Sequence, residues 1–237
     1  EDLCKQGSGF INKIWNSYRL IDGWRVSDTI PESETAAIAI KWYQGKFQKT
    51  LAEIEDHYLK YRISDALMAT YRLIWDDFCS WFLEMVKPGF EEPIAATTYA
   101  SVISILEDNL KILHPFVPFI SEEIWQHIQP RNPNEALIVS EWPTIETFDP
   151  KIGLDFEFAS EVISGIRTIR KEKNISFKEA IALSVINKEK ASESFDVVIS
   201  KLGNLSEINY VNEAIEGALT FRNKSNEYFV PIAGTIN

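Results

Sequence analysis

Trp42, Lys46 and Lys49 lie on one long stretch of helical periodicity, predicted to run from about Ser33 to Tyr58. At about 100° per residue, Ile40, Phe47, Leu51 and Ile54 gather into a narrow apolar stripe. The tryptophan and both lysines fall nearly opposite that stripe, within about 60° of one another. A flat ring beside two ammonium groups is suited to stack an unpaired base and hold its phosphates. The same ring is equally suited to pack on a neighbouring domain, because Ile38 shares its side. On an earlier helix Asn12, Asn16 and Arg19 stand at i, i+4 and i+7, off the apolar stripe. Their amides and guanidinium can hydrogen-bond base edges and backbone, although an ordinary solvated face has the same composition. Arg167, Arg170, Lys171 and Lys173 end a later helix, where they suit RNA and also the helix dipole.

Other chemistry is not spelled out. The GxxxxGK[ST], GxSxG and HExxH patterns do not occur in the sequence. His57, His114 and His127 are scattered, and His114, amid Leu113, Phe116 and Phe119, reads as a hydrogen-bonded structural histidine. Asp76-Asp77 and Glu122-Glu123 are adjacent pairs, so their side chains diverge by about 100° on a helix and cannot work as one acid–base pair. Cys4 and Cys79 form no metal-binding spacing and no disulfide framework, which fits a reducing cytoplasm. No run of 18 apolar residues occurs, and Glu1-Asp2 opens nothing like a signal peptide, so no membrane is expected. The reading is of a chain with no catalytic residues, metal or cofactor of its own.

The net charge of −11 argues against nucleic acid until its distribution is considered. Residues 1–62 carry nine basic and nine acidic side chains, and residues 159–237 carry ten of each. Residues 63–158 carry five basic and sixteen acidic ones, so the whole excess lies there. A phosphate chain would avoid the middle and approach the outer segments.

These groups need elements to position them. Ile11, Ile14, Trp15 and Tyr18 predict a helix from about Ser8 to Leu20. A third helix, about Ile63–Val86, carries two stripes, one of them Ile63, Leu67, Ile74, Phe78 and Trp81, and ends at Lys87-Pro88-Gly89. A fourth spans about Ile94–Leu113, and a short fifth holds Ile124, Trp125 and Ile128. A proline-rich connector with an extended piece at Leu137–Trp142 follows. Beyond it come a helix over Asp155–Lys173, a strand over Glu179–Ile186 and a helix near Ala191–Leu202. Extended runs at Ile208–Val211, Ala218–Arg222 and Tyr228–Ile232 complete the series, with a turn at Asn223–Asn226. The expected fold is therefore mainly α: a bundle of about five helices over 1–129, a connector over 130–154, and a small α+β domain over 155–237.

Phe10-Ile-Asn-Lys-Ile-Trp-Asn16, followed by Arg19, resembles the start of the anticodon-binding helical bundle in class I synthetases of the valine, isoleucine and leucine group. Trp75-Asp-Asp-Phe-Cys-Ser-Trp-Phe-Leu-Glu84 with Lys87-Pro88 is similar to the valyl-type signature W-x-E-F-C-D-W-Y-L-E. Leu113-His-Pro-Phe-Val-Pro-Phe-Ile-Ser-Glu-Glu-Ile-Trp125 resembles L-H-P-F-M-P-F-I-T-E-E-L-W of the same family. Ile166-Arg-Thr-Ile-Arg170 with Lys171-Glu172, and Pro231-Ile-Ala-Gly234, extend the likeness over nearly the whole chain. Ser80, Phe82 and Asn237 depart from the family's usual Asp, Tyr and Asp.

The resemblance implies a module that binds the anticodon stem-loop of tRNA(Val); the candidate RNA contacts, read from helix position and charge, are Asn12, Asn16, Arg19, Trp42, Lys46, Lys49, Arg167, Arg170 and Lys171. The parent would use ATP and Mg to activate valine in a catalytic domain bearing HIGH and KMSKS signatures, neither of which occurs in this sequence. Its other partners would be the catalytic, editing and coiled-coil parts of the same synthetase. Rival readings are the same module of an isoleucyl or leucyl enzyme, and a helical scaffold that binds only proteins.

Overall fold

The computed structural model describes residues 2–132, 134–189 and 191–231, with side chains from Lys5 onward except that of Gln6. It separates into two compact units, Glu1–Asp149 and Pro150–Asn237. Of the connector expected over 130–154, residues 130–149 thus fall in the first unit, with the helices. Trp142 donates from Nε1 to Glu55 (3.2 Å), and the Glu146 amide donates to Gln48 (2.8 Å). The piece expected to be extended over Leu137–Trp142 contains a 3-10 turn, Leu137–Val139, pinned by Glu122 accepting from the Leu137 amide at 2.8 Å.

In the first unit α1 spans Asp2–Asp22 and α2 spans Glu34–Leu59. Ser33 caps α2, its side chain accepting from the Ala36 amide at 3.1 Å, which satisfies one of the orphan donors of the first turn. The third helical stretch runs unbroken as α3 (Ile63–Arg72), a π-helical segment (Leu73–Phe82) and α4 (Leu83–Val86). Two short strands, β1 (Val26–Ser27) and β2 (Ile94–Ala95), pair in parallel and tie the α1–α2 connection to the start of α5 (Ala96–Leu113). Pro118 opens α6 (Pro118–Ile128), where its missing N–H costs nothing. His114 has the structural role expected of it, with Nδ1 2.8 Å from the Ser121 hydroxyl.

The bundle's core is centred on α2, which packs on α3, the π segment and α4 as well as on α5. Its buried arc is correspondingly wide and takes in Trp42, Tyr43, Gly45 and Phe47 along with Leu51 and Ile54. Tyr43, fully buried, lies against Phe78 and Phe82 and donates to Asn109 Oδ1 at 2.8 Å. The third stretch departs from its expected stripe. Ile63 and Leu67 are exposed, while Ala66, Ala69 and Thr70 are buried in their place. A single wheel phase cannot be carried through a segment whose hydrogen bonds run i→i+5.

In the second unit α7 (Lys151–Glu172) precedes β3 (Ile181–Ile186). A 3-10 turn (Glu193–Phe195) and α8 (Asp196–Gly203) lead to β4 (Leu205–Tyr210), parallel to β3. A hairpin of β5 (Leu219–Asn223) and β6 (Asn226–Val230) places β6 antiparallel to β3, giving the strand order β4-β3-β6-β5. α7 packs on α8 and β5 through Ile152, Phe156, Ala159, Val162, Ile163 and Ile166. Gly165 permits this approach, because a Cβ there would stand 2.3 Å from the Phe221 ring. The expected mainly α architecture with a small α+β portion is the one observed. Of the likeness at Pro231–Gly234, residues 232–234 lie outside the described residues, as does Asn237.

The burial of Trp42 gives the first prediction. Trp42→Ala should cost about 3–5 kcal/mol, the usual range for a large aromatic removed from a core. Urea unfolding followed by far-UV circular dichroism measures it, and an unchanged transition would contradict the packing described.

Candidate nucleic-acid interface

The residues expected to touch RNA separate into three classes. Trp42 is a correction: only 2% of its surface is exposed, so its ring is not a platform for a base. Its angular position on α2 is as read, but the ring is buried, on a helix that packs on α3, the π segment, α4 and α5. A wheel with one apolar stripe treats every other direction as solvent, and α2 has packing partners on several sides.

Lys46 and Arg170 form a second class, engaged with their own fold. Lys46 Nζ lies 3.4 Å from Asp77 Oδ2. Burial pushes the Asp77 carboxyl above its ordinary range, and Lys46 pulls it back only in part. Arg170 is 5% exposed, which corrects its reading as a surface contact. Its guanidinium donates to the carbonyls of Gly203 (3.0 and 3.2 Å), Asn204 (2.9 Å) and Ser176 (2.8 Å). The fork takes up the Gly203 carbonyl at the end of α8 and shares the Asn204 carbonyl with the Ile181 amide (3.3 Å).

The third class is exposed: Asn12, Asn16 and Arg19 on α1, Lys49 on α2, and Arg167 and Lys171 on α7. The three α1 residues project away from the side of the helix that carries Phe10, Ile14 and Ser17. That inner side meets the π segment. Lys13 Nζ sits 4.0 Å from the Trp75 ring centroid and 3.1 Å from the Ser80 hydroxyl, and the Ser17 hydroxyl lies 3.1 Å from Cys79 Sγ. The π segment is thus met by Lys13 from α1, at Trp75 and Ser80, and by Lys46 from α2, at Asp77. Ser80 donates to the Trp75 carbonyl five residues back (2.9 Å) and accepts from Lys13.

Sequence periodicity missed the most exposed aromatic rings. Tyr61, between Lys60 and Arg62 in the α2–α3 turn, is 90% exposed with a left-handed φ of 57°. Phe90 and Phe119 are comparably bare, and Phe177 stands out in the second unit. They sit in turns and loops or at a helix start, where no wheel applies; an aromatic placed among turn residues or basic side chains was the available signal. Among the described residues no three His, Cys, Asp or Glu side chains converge to hold a metal ion, and no helix is long and apolar enough to cross a membrane.

Asp77 supplies a pH prediction. Its folded pKa lies above its unfolded one, so the folded state binds the extra proton between the two values. Stability from this group is therefore present at low pH and declines as pH rises through that window. Asp77→Asn should lessen the decline above about pH 4, the ordinary carboxylate range, in urea titrations at stepped pH. A steeper decline in the variant would mean that the ion pair with Lys46 outweighs burial.

The comparisons with known proteins bear on what such a surface contacts. Residues 41–187 match the family described as the anticodon-binding domain of tRNA ligase. The whole chain is 63% identical to a valine–tRNA ligase of Christiangramia forsetii, and 99% of it aligns at 46% identity with that of Parabacteroides distasonis. A Bacillus cereus valine–tRNA ligase is 30% identical over 96% of the chain. The chain spans 27% of the length of each of these relatives. With the family match running from α2 through the π segment and α7 to the end of β3, the chain belongs to the anticodon-binding domain family of tRNA ligases.

Proposed function

We propose that this chain is the part of a valine–tRNA ligase that holds the anticodon stem-loop of tRNA(Val), so that the acceptor end reaches a catalytic domain elsewhere in the protein. Identity along its full length to a valine–tRNA ligase is the observation that carries the reading. The exposed side chains fit it. Asn12, Asn16 and Arg19 offer base and backbone contacts, and Lys49, Arg167 and Lys171 offer charge to phosphates. Lys46 and Arg170 act one step back, Lys46 by holding Asp77 and Arg170 by ordering the turn after α7. Trp42 keeps α2 in place. Valine activation, with ATP and Mg, belongs to the remainder of the parent, whose editing and coiled-coil parts are the other partners. The setting is the cytoplasm, where charged tRNA is used. The division of labour follows the chain itself, a helical unit and a small α+β unit each contributing contacts of its own.

An isoleucyl or leucyl parent is the nearest alternative, and a protein-binding scaffold is the more distant one, favoured by the acidic middle of the chain. Filter binding of the chain to radiolabelled tRNAs separates them. Preference for valine tRNA is expected; preference for isoleucine or leucine tRNA would move the assignment, and no tRNA above background would leave the scaffold. Arg19→Ala and Lys49→Ala should weaken binding. Lys49→Ala should also lower the slope of log affinity against log salt by up to about 0.7, the share of one phosphate on a single strand. Valine-dependent ATP–pyrophosphate exchange by the chain alone should be undetectable.

A further inference from the structure

The turn between α7 and β3, residues 173–180, is held by more bonds than a plain connection needs. Arg170 reaches it from the last turn of α7, donating to the Ser176 carbonyl while the rest of its fork holds Gly203 and Asn204 at the end of α8. Asn204, left-handed with φ of 49°, caps α8 and turns its Nδ2 to the Phe177 carbonyl at 2.5 Å. Inside the turn, Ile175 N donates to the Arg170 carbonyl (2.9 Å), Glu179 N to the Ser176 carbonyl (3.1 Å) and Lys178 N to the Ser176 hydroxyl (3.2 Å). The backbone on either side of Phe177 is therefore fixed from α7, from α8 and from within.

What this scaffold presents is a bare ring. Phe177 is 55% exposed, with Arg170 Cζ 5.5 Å from its centroid. Lys171, Lys173 and Lys178 are exposed along the same short stretch of chain, against Glu172 and Glu179 as the only acids from 170 to 180. Single exposed apolar side chains are common on proteins and need no partner. Here the backbone that carries the ring is held by hydrogen bonds from α7, from α8 and from within the turn, and the ring stands beside Arg170 on a stretch rich in lysine, in a chain of net charge −11. A protein partner would be expected to meet a contiguous apolar patch. One isolated ring with ammonium groups about it suits a single unpaired base and its phosphates. A backbone already fixed on either side of the ring leaves less freedom to lose when a base stacks on it.

We propose that the 173–180 turn is a stacking platform for one unpaired nucleotide of the bound RNA. Phe177 lies under the base, Lys171, Lys173 and Lys178 face the flanking phosphates, and Arg170 is the positioning residue. The proposal rests on the reading of the chain as a tRNA-binding module and adds a base contact to it. It gives the second unit base contact as well as charge.

Filter binding of the intact chain to valine tRNA and to a single-stranded oligouridylate tests it across a salt series. Phe177→Leu keeps an apolar side chain and removes the ring, and should weaken both by about 5- to 150-fold with the salt slope unchanged. Phe177→Tyr should restore wild-type binding. Lys173→Ala and Lys178→Ala should instead lower the salt slope, each by up to about 0.7. Arg170→Lys keeps the charge but not the fork, so a positioning role predicts a loss like that of Phe177→Leu, whereas a phosphate contact predicts little change. Tight tRNA binding that is indifferent to Phe177→Leu would overturn the platform and leave the tRNA reading standing. Failure of the wild-type chain to bind any RNA would overturn both.

Discussion

α2 cannot be solvated along most of its length, and the helical unit is arranged around that fact. Tyr43 on this helix is fully buried and directs its hydroxyl to Asn109 of α5, while its ring meets Phe78 and Phe82 of the π segment. One side chain therefore fixes α2 against two other elements, by a hydrogen bond in one direction and by aromatic packing in the other. Gly45, buried one turn from Trp42, adds no side-chain bulk there. Because the hydrogen bond is shielded from water, loss of either partner would leave a buried polar atom unmet, which costs more than the bond itself returns.

The π segment follows from the same crowding. It carries Trp75, Phe78, Trp81 and Phe82 within ten residues, too many rings for one face of an α-helix to bury. The wider hydrogen-bond spacing redistributes them, with Phe78 and Phe82 turned inward and Trp75 left half-covered beneath Lys13. π-helical turns occur often at functional sites; in this unit the segment sits between the two lysine-bearing helices, and its exposed Asp76 keeps that surface from being uniformly positive. Asp77 beside it is largely buried and is answered by Lys46. The strongest family resemblance, Trp75–Glu84, thus covers a packing device, and the residues it offers to solvent are few.

Legibility in the sequence divides along that line. The helices, their order and the α+β tail were readable, because apolar periodicity and breakers such as Lys87-Pro88-Gly89 act locally. Trp42 was misread because periodicity reports how many residues apart side chains sit and not how many neighbours a helix has. Ile63 and Leu67 were misread because a π segment shifts the phase downstream of them. Arg170 looked like one of four equivalent bases; only the fold shows that its guanidinium is spent on three backbone carbonyls. Asn12, Asn16 and Arg19 are exposed as the wheel placed them, since α1 packs along one side only.

The acidic total is compatible with an anionic partner because charge acts locally. In ordinary salt the screening length is about 8 Å, so distant carboxylates contribute little to the potential at a given surface. Much of the acidic middle is also occupied. Glu84 pairs with Lys87, Asp108 with Lys111 and Glu107 with Arg131, while Glu122 and Glu135 accept from backbone amides. Those carboxylates hold helix ends and the 130–149 stretch in place, and their negative charge is partly returned by the groups they bind. On α1, by contrast, Asn12, Asn16 and Arg19 have no acidic residue among positions 12–19 to offset them. Where RNA can approach is then decided by which cations the fold leaves in solvent. Lys49 and Lys171 remain there, and Arg170, bonded to the carbonyls of Ser176, Gly203 and Asn204, does not.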